Sequence, residues 1–427
     1  MNVTTVRKER LERLVALARA YRGWNLSELA EAIGRDPKRA IPMSGNPKLD
    51  LVARLAGALE WEVGEVASSL LEGAEEPPSD SCEEESPKAR PFEELDRKAQ
   101  IAHRAGDCAL MERIALALRG AARTPRERAI AANRLAGAYD GLGRYPRVLE
   151  CVRAGLSEGP IGSDVRLMLT VNLANASYTL WNLEEARAVG GSIADRFAIT
   201  PPSGRLERVA EAFSRAIRGH ALRRMVAQRE DPDEVQAMAR ASIEDLSVAV
   251  ERYDALAAEF DDPQYAGLAN TARGGLIEMR AADGSLGADE ALGTIVEALD
   301  AAIDVGEPAS PHLLESWGWW STFGANVALR ASDRLRAEPE IDRTIAICTN
   351  KASEIAEELD HWPMRERAFS LEWLRRQSLV GATCEPRPDW MLDADDVRVL
   401  VGTMGRFPLF RETGWRILDS AVIADGG

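Results

Sequence analysis

Three cationic side chains, Arg35, Lys38 and Arg39, surround a strong helix-start signal in the segment "GRDPKRA". Asp36 is a residue type that caps helices, and Pro37 suits the first helical position because that position needs no N–H donor. A guanidinium can donate two parallel hydrogen bonds to a guanine edge, and an ammonium group can pair with a phosphate. The chemistry that these side chains could perform is therefore nucleic-acid binding.

A second proline limits the helix that would present these cations. Pro42 lies five residues after the first proline. Proline inside a helix costs about 3 kcal/mol or more, because it removes a hydrogen bond and clashes with the preceding turn. It also favours an extended backbone at Ile41. We therefore expect a helix of little more than one turn over residues 37–41, and a new helix start at residues 46–47.

The segments on either side of this short helix resemble the Cro/repressor-type helix-turn-helix family. The segment "WNLSELAEAIG" is similar to the family's second helix, with Asn25 and Glu28 placed for a capping box and Gly34 at the sharp turn. The segment "PKLDLVARLAGALEWEVGEV" resembles the fourth helix and the start of the fifth. For this domain, residues 1–71, we expect buried side chains at Leu11, Leu14, Val15, Ala18, Leu29, Ala30, Ile33, Leu49, Val52, Leu55, Ala56, Leu59 and Val66.

The resemblance implies a role in DNA binding for the cations of this domain. Arg35, Lys38 and Arg39 are the candidates for base contacts, since base-contacting residues cluster at the N-terminal end of such helices. Ser44 and Lys48, which flank the next helix start, are the candidates for phosphate contacts. One short helix gives little affinity, so we expect a homodimer on duplex DNA. The alternative is a degenerate domain whose charges are merely solvated, in a protein–protein interaction scaffold that never binds DNA.

The charge of the chain is unevenly distributed. The formal net charge is −16, yet residues 1–72 hold 11 basic and 10 acidic side chains. A polyanion repels phosphates, so only this first segment is suited to contact DNA. It is followed by "EGAEEPPSDSCEEES", which has seven acids and no base. Such a segment cannot bury enough apolar surface to fold, and we interpret residues 72–90 as an acidic disordered linker.

Residues 91–427 have the pattern of helical hairpins. Apolar positions recur every three or four residues, and proline or glycine interrupts them at short intervals. Residues 132–160 resemble the tetratricopeptide repeat, with matches at Leu135, Ala136, Tyr139, Gly143, Tyr145 and Pro160. A second copy runs from residue 173 to residue 193, with Trp181 in place of the turn glycine. The expected fold class is all-α: a helix-turn-helix domain followed by an α-solenoid of tetratricopeptide-like hairpins.

Asparagines that follow small residues recur along this array. They are Asn133, Asn172, Asn175, Asn270 and Asn326. A side-chain amide can bind both the donor and the acceptor of an extended peptide backbone. The layout resembles that of peptide-sensing transcriptional regulators, which implies that these asparagines hold a peptide or protein on the concave face. The alternative is that small polar residues simply tolerate crowded helix crossings.

The run "ESWGWW" is the densest aromatic patch. Helical spacing places Trp317 and Trp320 on one face, which is typical of a core. Trp319 points elsewhere and is a further candidate for the peptide or protein site.

The sequence does not indicate an enzyme. Its four histidines are far apart, and it has neither a phosphate-binding glycine loop nor a nucleophilic serine motif. We expect no metal site and no cofactor. The five scattered cysteines suit reduced thiols in the cytoplasm. No window reaches the roughly 18 apolar residues of a membrane span, and the charged N-terminus does not resemble a signal peptide.

Overall fold

The computed structural model forms two compact units, residues 1–87 and residues 88–427. It describes residues 3–22, 24–36, 42, 47–59, 63–71, 92–303, 310–331, 339–379 and 390–423. The expected linker and most of the short helix with its loop, including Lys38, Arg39 and Ser44, lie outside these ranges. The described residues are almost entirely helical, which confirms the all-α class.

In its described residues the first unit contains α1 (Val3–Arg22), α2 (Leu26–Ala32), α3 (Leu49–Leu59) and α4 (Val63–Leu71). The capping box is present: the Asn25 side chain accepts from the backbone amides of Ser27 and Glu28, and the Glu28 carboxylate accepts from the Asn25 amide at 2.8 Å. Two of the otherwise unpaired amides at the start of α2 are thereby satisfied. Gly34 follows α2 with a φ of +65°, a conformation that favours glycine.

One hydrophobic core joins the four helices of the first unit. Its buried members are Leu11, Leu14, Val15, Ala18, Leu29, Ala30, Ile33, Leu51, Val52, Leu55, Ala56, Ala58, Val66 and Leu70. The prediction for Leu49 is wrong, since its side chain is 73% exposed. Leu49 is the first residue of α3, so it precedes the buried stripe, and Leu51 lies in the core instead. The side chain of Leu59 is outside the described part of the chain.

The second unit is a row of helices with short connections. In chain order its helices are α5 (Phe92–Arg104), α6 (Cys108–Ala121), α7 (Pro125–Gly141), α8 (Tyr145–Ser157), α9 (Ser163–Thr179), α10 (Leu183–Ile199), α11 (Arg205–Val226), α12 (Pro232–Phe260), α13 (Pro263–Asp283), α14 (Ala288–Ile303), α15 (Pro311–Arg330), α16 (Pro339–Glu358) and α17 (Trp362–Leu379). Each helix contacts the next, and α5, α7, α9, α11, α13, α15 and α17 also contact one another in sequence. This is a helical-repeat-like arrangement in which the odd-numbered helices form a continuous row.

Local signals in the sequence set where these helices begin. Four helices start with proline after a capping side chain, and the caps are Thr124, Asp231, Asp262 and Ser310. The side-chain oxygen of each cap accepts a backbone N–H that no helical carbonyl can reach, and the proline has no N–H to satisfy. No helix in the described ranges is long and apolar enough to span a membrane.

The C-terminal segment departs from the hairpin pattern. It contains β1 (Trp390–Leu392), α18 (Ala394–Arg406), α19 (Arg411–Ser420) and β2 (Ala421–Ile423), with a single 3₁₀ turn before α19. The two strands pair in parallel, with Trp390 opposite Ala421. Helical periodicity did not predict this pairing. The core of this segment includes Tyr145 of α8, so it packs against an early part of the same unit.

Candidate functional site

The last helices of the second unit contact the turns near its beginning. Trp181, in the turn between α9 and α10, donates from Nε1 to Glu366 of α17 at 3.1 Å. The guanidinium of Arg367 lies over the same indole ring, 4.7 Å from its centroid. The rings of Tyr145 and Phe407 are 5.2 Å apart. The unit is therefore closed where α17 and the C-terminal segment contact the turn after α9 and the start of α8.

This closure borders a cavity of about 390 Å³. Side chains from α7, α8, α9, α11, α12, α13 and α15 line it, together with the turn between α16 and α17. Its polar lining residues are Asp140, Tyr145, Asn175, Tyr178, Thr179, His220, Arg224, Tyr253, Thr271, Glu315, Trp319, Asp360, His361 and Trp362. The volume lies in the range of small-molecule sites, roughly 300–1,000 Å³.

Arg224 of α11 is the cation of the cavity wall. It is 5% exposed, and its Nη1 donates to the backbone carbonyl of Tyr178 at 2.9 Å. The guanidinium stacks on the rings of Tyr178 and Trp181, at 3.8 and 4.4 Å from their centroids. No carboxylate of the described chain forms an ion pair with it. Burial, together with the nearby charges of Arg223 and Arg367, lowers the Arg224 pKa to about 10.

Two buried polar atoms in this wall have no hydrogen-bond partner among the described residues. They are Nε of Arg224 and the hydroxyl of Tyr253, whose side chain is 1% exposed. Buried polar groups are nearly always paired, because an unpaired one loses its hydrogen bonds to water without replacement. Both residues line the same cavity. Each of these two atoms is itself closed to solvent.

Acidic side chains also line the cavity, around Glu315. His361 Nε2 and Trp319 Nε1 both contact its Oε1, at 3.2 and 3.3 Å. Burial raises the pKa of Glu315, but these two contacts outweigh burial and leave it below the usual value. Asp140 shares this side of the cavity, and no side chain in the described ranges forms an ion pair with its carboxylate. Burial raises the Asp140 pKa to about 6, where His361 acts to lower it and Glu315 to raise it.

Beyond Arg224 lies a buried cluster of charged side chains. Glu278, with 0% exposure, accepts from Arg223 at 2.8 Å and from Arg330 at 3.0 Å. Asn326 also donates to this carboxylate, at 3.3 Å. Arg223 Nη2 reaches the hydroxyl of Tyr178 at 3.3 Å. The cluster holds α11, α13 and α15 together behind the cavity.

The structure separates the predicted asparagines into different environments. Asn172 donates to Asn133 at 2.8 Å, so these two bind each other across α7 and α9. Asn270 donates to the hydroxyl of Ser316 at 2.8 Å. These contacts, with that of Asn326, lie between packed helices, as the crowded-crossing alternative expects. Asn175 alone of the five lines the cavity.

The tryptophans divide as their spacing predicts. Trp317 and Trp320 pack edge to face with ring centroids 5.1 Å apart, and Trp320 is buried. Trp319 turns to the other side of α15 and lines the cavity. There it stacks on Phe323 at 6.5 Å and meets the ring edge of His361 at 5.6 Å.

In the first unit, two of the predicted DNA-contacting residues are described. Arg35 is half-buried in the turn after α2, and Lys48 is exposed before α3. Neither forms an ion pair with any carboxylate in the described residues. The guanidinium of Arg54, on α3, lies directly over Gly34. Arg35 and Arg54 therefore both lie at this turn, where Asp36 follows Arg35 in the chain.

Sequence analysis missed Arg224 and Tyr253. Arg224 occurs in "HALRRMVAQ", where basic residues near a helix C-terminus are expected for the helix dipole alone. Tyr253 follows an ordinary amphipathic pattern. The sequence shows the adjacent pair Arg223-Arg224, but only the structure shows that both side chains are buried.

No protein-family model matches this chain, and a search of curated proteins gives no match either. The described residues contain no group of three or more His, Cys, Asp or Glu side chains placed to hold a metal ion. The function of the protein must therefore be inferred from the geometry of the cavity and from the charges of the two units.

Proposed function

We propose that this protein is a DNA-binding transcriptional regulator whose second unit binds an effector in the cavity. The observation that carries the effector part is the cavity of about 390 Å³, whose wall holds Arg224 and Asp140 with no ion-pair partner among the described residues. A folded protein gains stability if a ligand satisfies such groups. The cavity suits a small effector, such as a short peptide, better than an extended protein segment.

Two observations support DNA binding by the first unit. The capped helix α2, the left-handed turn at Gly34 and the cations Arg35 and Lys48 follow one another in the chain. The first 72 residues are near neutral in a chain of net charge −16, so only they can approach a polyanion without strong repulsion. The short predicted helix favours phosphate contacts over base contacts, which implies low intrinsic sequence specificity and binding as a homodimer.

An effector in this cavity could change the arrangement of the second unit. It would contact α9, α11 and α15 and also the turn between α16 and α17, which come from distant parts of the chain. A ligand that binds the closed arrangement more tightly than an open one shifts the population towards closure. We propose that this shift alters the spacing of two DNA-binding units in a dimer.

A gel-shift experiment with random duplex DNA at low and high salt tests DNA binding. The triple variant Arg35→Ala, Lys38→Ala, Arg39→Ala should weaken the shift, and the dependence of log affinity on log salt should become shallower by roughly 0.9 per lost phosphate contact. The matched control is Arg166→Ala, Arg240→Ala, Arg280→Ala, which removes the same charge from exposed positions of the second unit.

The control protein should shift DNA like the original chain. If the first triple variant binds as well as the control, or if the original chain does not bind duplex DNA at low salt, the regulator proposal is wrong. The scaffold alternative would then be favoured. Sedimentation at several concentrations would separately test the expected homodimer.

A further inference from the structure

We infer that the effector is a small protonated amine with an apolar body, and that the carboxylates of Asp140 and Glu315 hold its ammonium group. This inference rests on the proposed function, because it names the chemical class of the molecule that would bind in the same cavity. It differs from recognition of a peptide backbone by asparagines, since it depends on one cationic group of the ligand.

Asp140 lies in the last turn of α7 and lines the cavity. No residue of the described chain donates a hydrogen bond to its carboxylate or forms an ion pair with it. Burial raises its pKa to about 6, so the surroundings disfavour the ionised form. A charge without a partner in such surroundings is costly, and a cationic group of a ligand would compensate it.

Glu315 of α15 supplies a second carboxylate at the same end of the cavity. Its Oε1 contacts Trp319 and His361, whereas its Oε2 has no hydrogen-bond partner among the described residues. The two carboxylates are close enough for the charge of Glu315 to raise the Asp140 pKa. A cation near both removes this repulsion, and an ammonium group also donates three charge-assisted hydrogen bonds.

The neighbouring His361 does not supply the missing cation at neutral or higher pH. Its Nδ1 lies 3.2 Å from the backbone nitrogen of Met364 and accepts from that N–H. The proton of the neutral ring is therefore on Nε2, which faces Glu315 at 3.2 Å. In this state the imidazole orients the Glu315 carboxylate without neutralising it.

The cation of the cavity wall, Arg224, belongs to a different group of charges. Its pKa responds to charged side chains of α11 and α17. The pKa of Asp140 responds instead to α15 and to the turn between α16 and α17. Because the interaction between charges weakens with distance, Arg224 leaves the acidic end of the cavity without a counter-ion.

Apolar side chains form much of the remaining wall. They are Phe213, Ala216, Ile217, Leu268, Phe323 and Leu359. This wall favours burial of hydrocarbon, and the face of an aromatic ring also attracts a cation. A bare metal ion does not match it, and the described residues contain no group of three or more His, Cys, Asp or Glu side chains placed for one. The cavity of about 390 Å³ therefore suits a compact organic amine.

The test is a calorimetric titration of the full chain at pH 8, without DNA, with a panel of amines from butylamine to octylamine together with benzylamine and phenethylamine. At this pH Asp140 is ionised and the amines keep their protons, because the pKa values are about 6 for the carboxyl and about 10 for an alkylamine. We expect at least one amine to bind. The alcohol with the same carbon skeleton should bind at least about tenfold more weakly, because it has no charge.

Two variants connect the affinity to the proposed contacts. Asp140→Asn removes a carboxylate that has no described partner, so it should not lower stability at pH 8, yet it should weaken amine binding at least about tenfold. Glu315→Gln retains an oxygen for Trp319 and His361 and should weaken binding several-fold. The control is Asp254→Asn on α12, where an exposed carboxylate pairs with Arg273; this variant should bind amines like the original chain.

The inference is overturned if no amine of the panel binds, if the alcohols bind as tightly as their amines, or if Asp140→Asn and Asp254→Asn bind amines alike. Because DNA is absent from this experiment, such results leave the gel-shift outcome untouched. The failure of the ligand assignment and the failure of the regulator proposal can thus be told apart.

Discussion

Trp181 and Glu366 are 185 residues apart in the chain, and the indole nitrogen of one donates to the carboxylate of the other at 3.1 Å. Glu366 is buried, and its second oxygen accepts from Ser370 at 2.9 Å. Trp181 has a positive φ of 64°, which is uncommon for a large side chain. This contact connects the turn after α9 to α17 and so helps to close the unit around the cavity.

Trp181→Phe should lower the free energy of unfolding of the second unit by about 1–3 kcal/mol. The ring remains available for the two guanidinium groups, but one oxygen of the buried carboxylate loses its donor. Urea unfolding followed by circular dichroism measures the change. Trp415→Phe is the control, because Trp415 is 61% exposed, and it should change stability by no more than about 0.5 kcal/mol. Equal losses in the two variants would contradict a special role for Trp181.

Glu278→Gln should be among the most destabilising conservative changes in the chain. The substitution leaves the guanidinium groups of Arg223 and Arg330 buried or half-buried without their shared carboxylate. Removing one partner of a buried ion pair costs about 3–5 kcal/mol. The comparison is Glu184→Gln, which breaks an exposed pair with Arg187 and should cost at most about 1 kcal/mol. Chemical denaturation of both proteins tests this, and a small loss for Glu278→Gln would show that the arginines find other partners.

Asp140→Asn should change how stability depends on pH. Burial raises the Asp140 pKa to about 6, so between about pH 4 and pH 6 the folded protein binds more protons than the unfolded chain. The contribution of this carboxyl to stability is therefore present at low pH and is lost as pH rises through 6. Asparagine removes that loss, so the variant should gain on the order of 2 kcal/mol relative to the original chain at pH 8, and little at pH 4.

Melting temperatures of the two proteins from pH 4 to pH 8 measure this difference. The titratable groups that face Asp140 are Cys108, Tyr145, Glu315 and His361, and they are the same in both proteins. Burial lowers the pKa of His220, so the contribution of His220 to stability increases as pH rises. This residue is the same in both proteins, so its contribution cancels in the comparison. A difference that does not vary with pH would refute the assignment.

Gly267→Ala should destabilise the contact between α13 and α15. A Cβ atom at this position would lie 2.5 Å from the carbonyl oxygen of His312, and a backbone atom cannot easily move away. Overpacking of this kind costs about 1–3 kcal/mol. Gly293→Ala, at an exposed position in α14 with open space around it, should instead stabilise by about 0.5–1 kcal/mol, since alanine favours helix. Thermal melts of both variants should therefore shift in opposite directions.

The sequence predicted the local structure well. The Asn25 capping box and the sharp turn at Gly34 both depend on a few neighbouring residues, and both are present. The burial stripe of α3 was predicted in part: Val52, Leu55 and Ala56 are buried as expected, but Leu49 is exposed and Leu51 lies in the core instead. Helix periodicity fixes which residues share a face, but the position of the neighbouring helices decides where that face becomes buried.

The candidate site was predicted only in part. Asn175 and Trp319 line the cavity, but the other asparagines bind each other or neighbouring helices. A repeat motif places asparagines on a common side of the array, and it cannot show whether a ligand or a neighbouring helix takes their hydrogen bonds.

What the sequence determined by itself was therefore the helical class, the capped start of α2 and the separation of charge between the first 72 residues and the rest. These properties follow from composition and from interactions within a few residues. Only the tertiary structure decided that Arg224 and Tyr253 would line one cavity with Asp140 and Glu315. Their meeting depends on closure by contacts such as Trp181–Glu366, and side-chain pairing over such distances leaves no local pattern in the sequence.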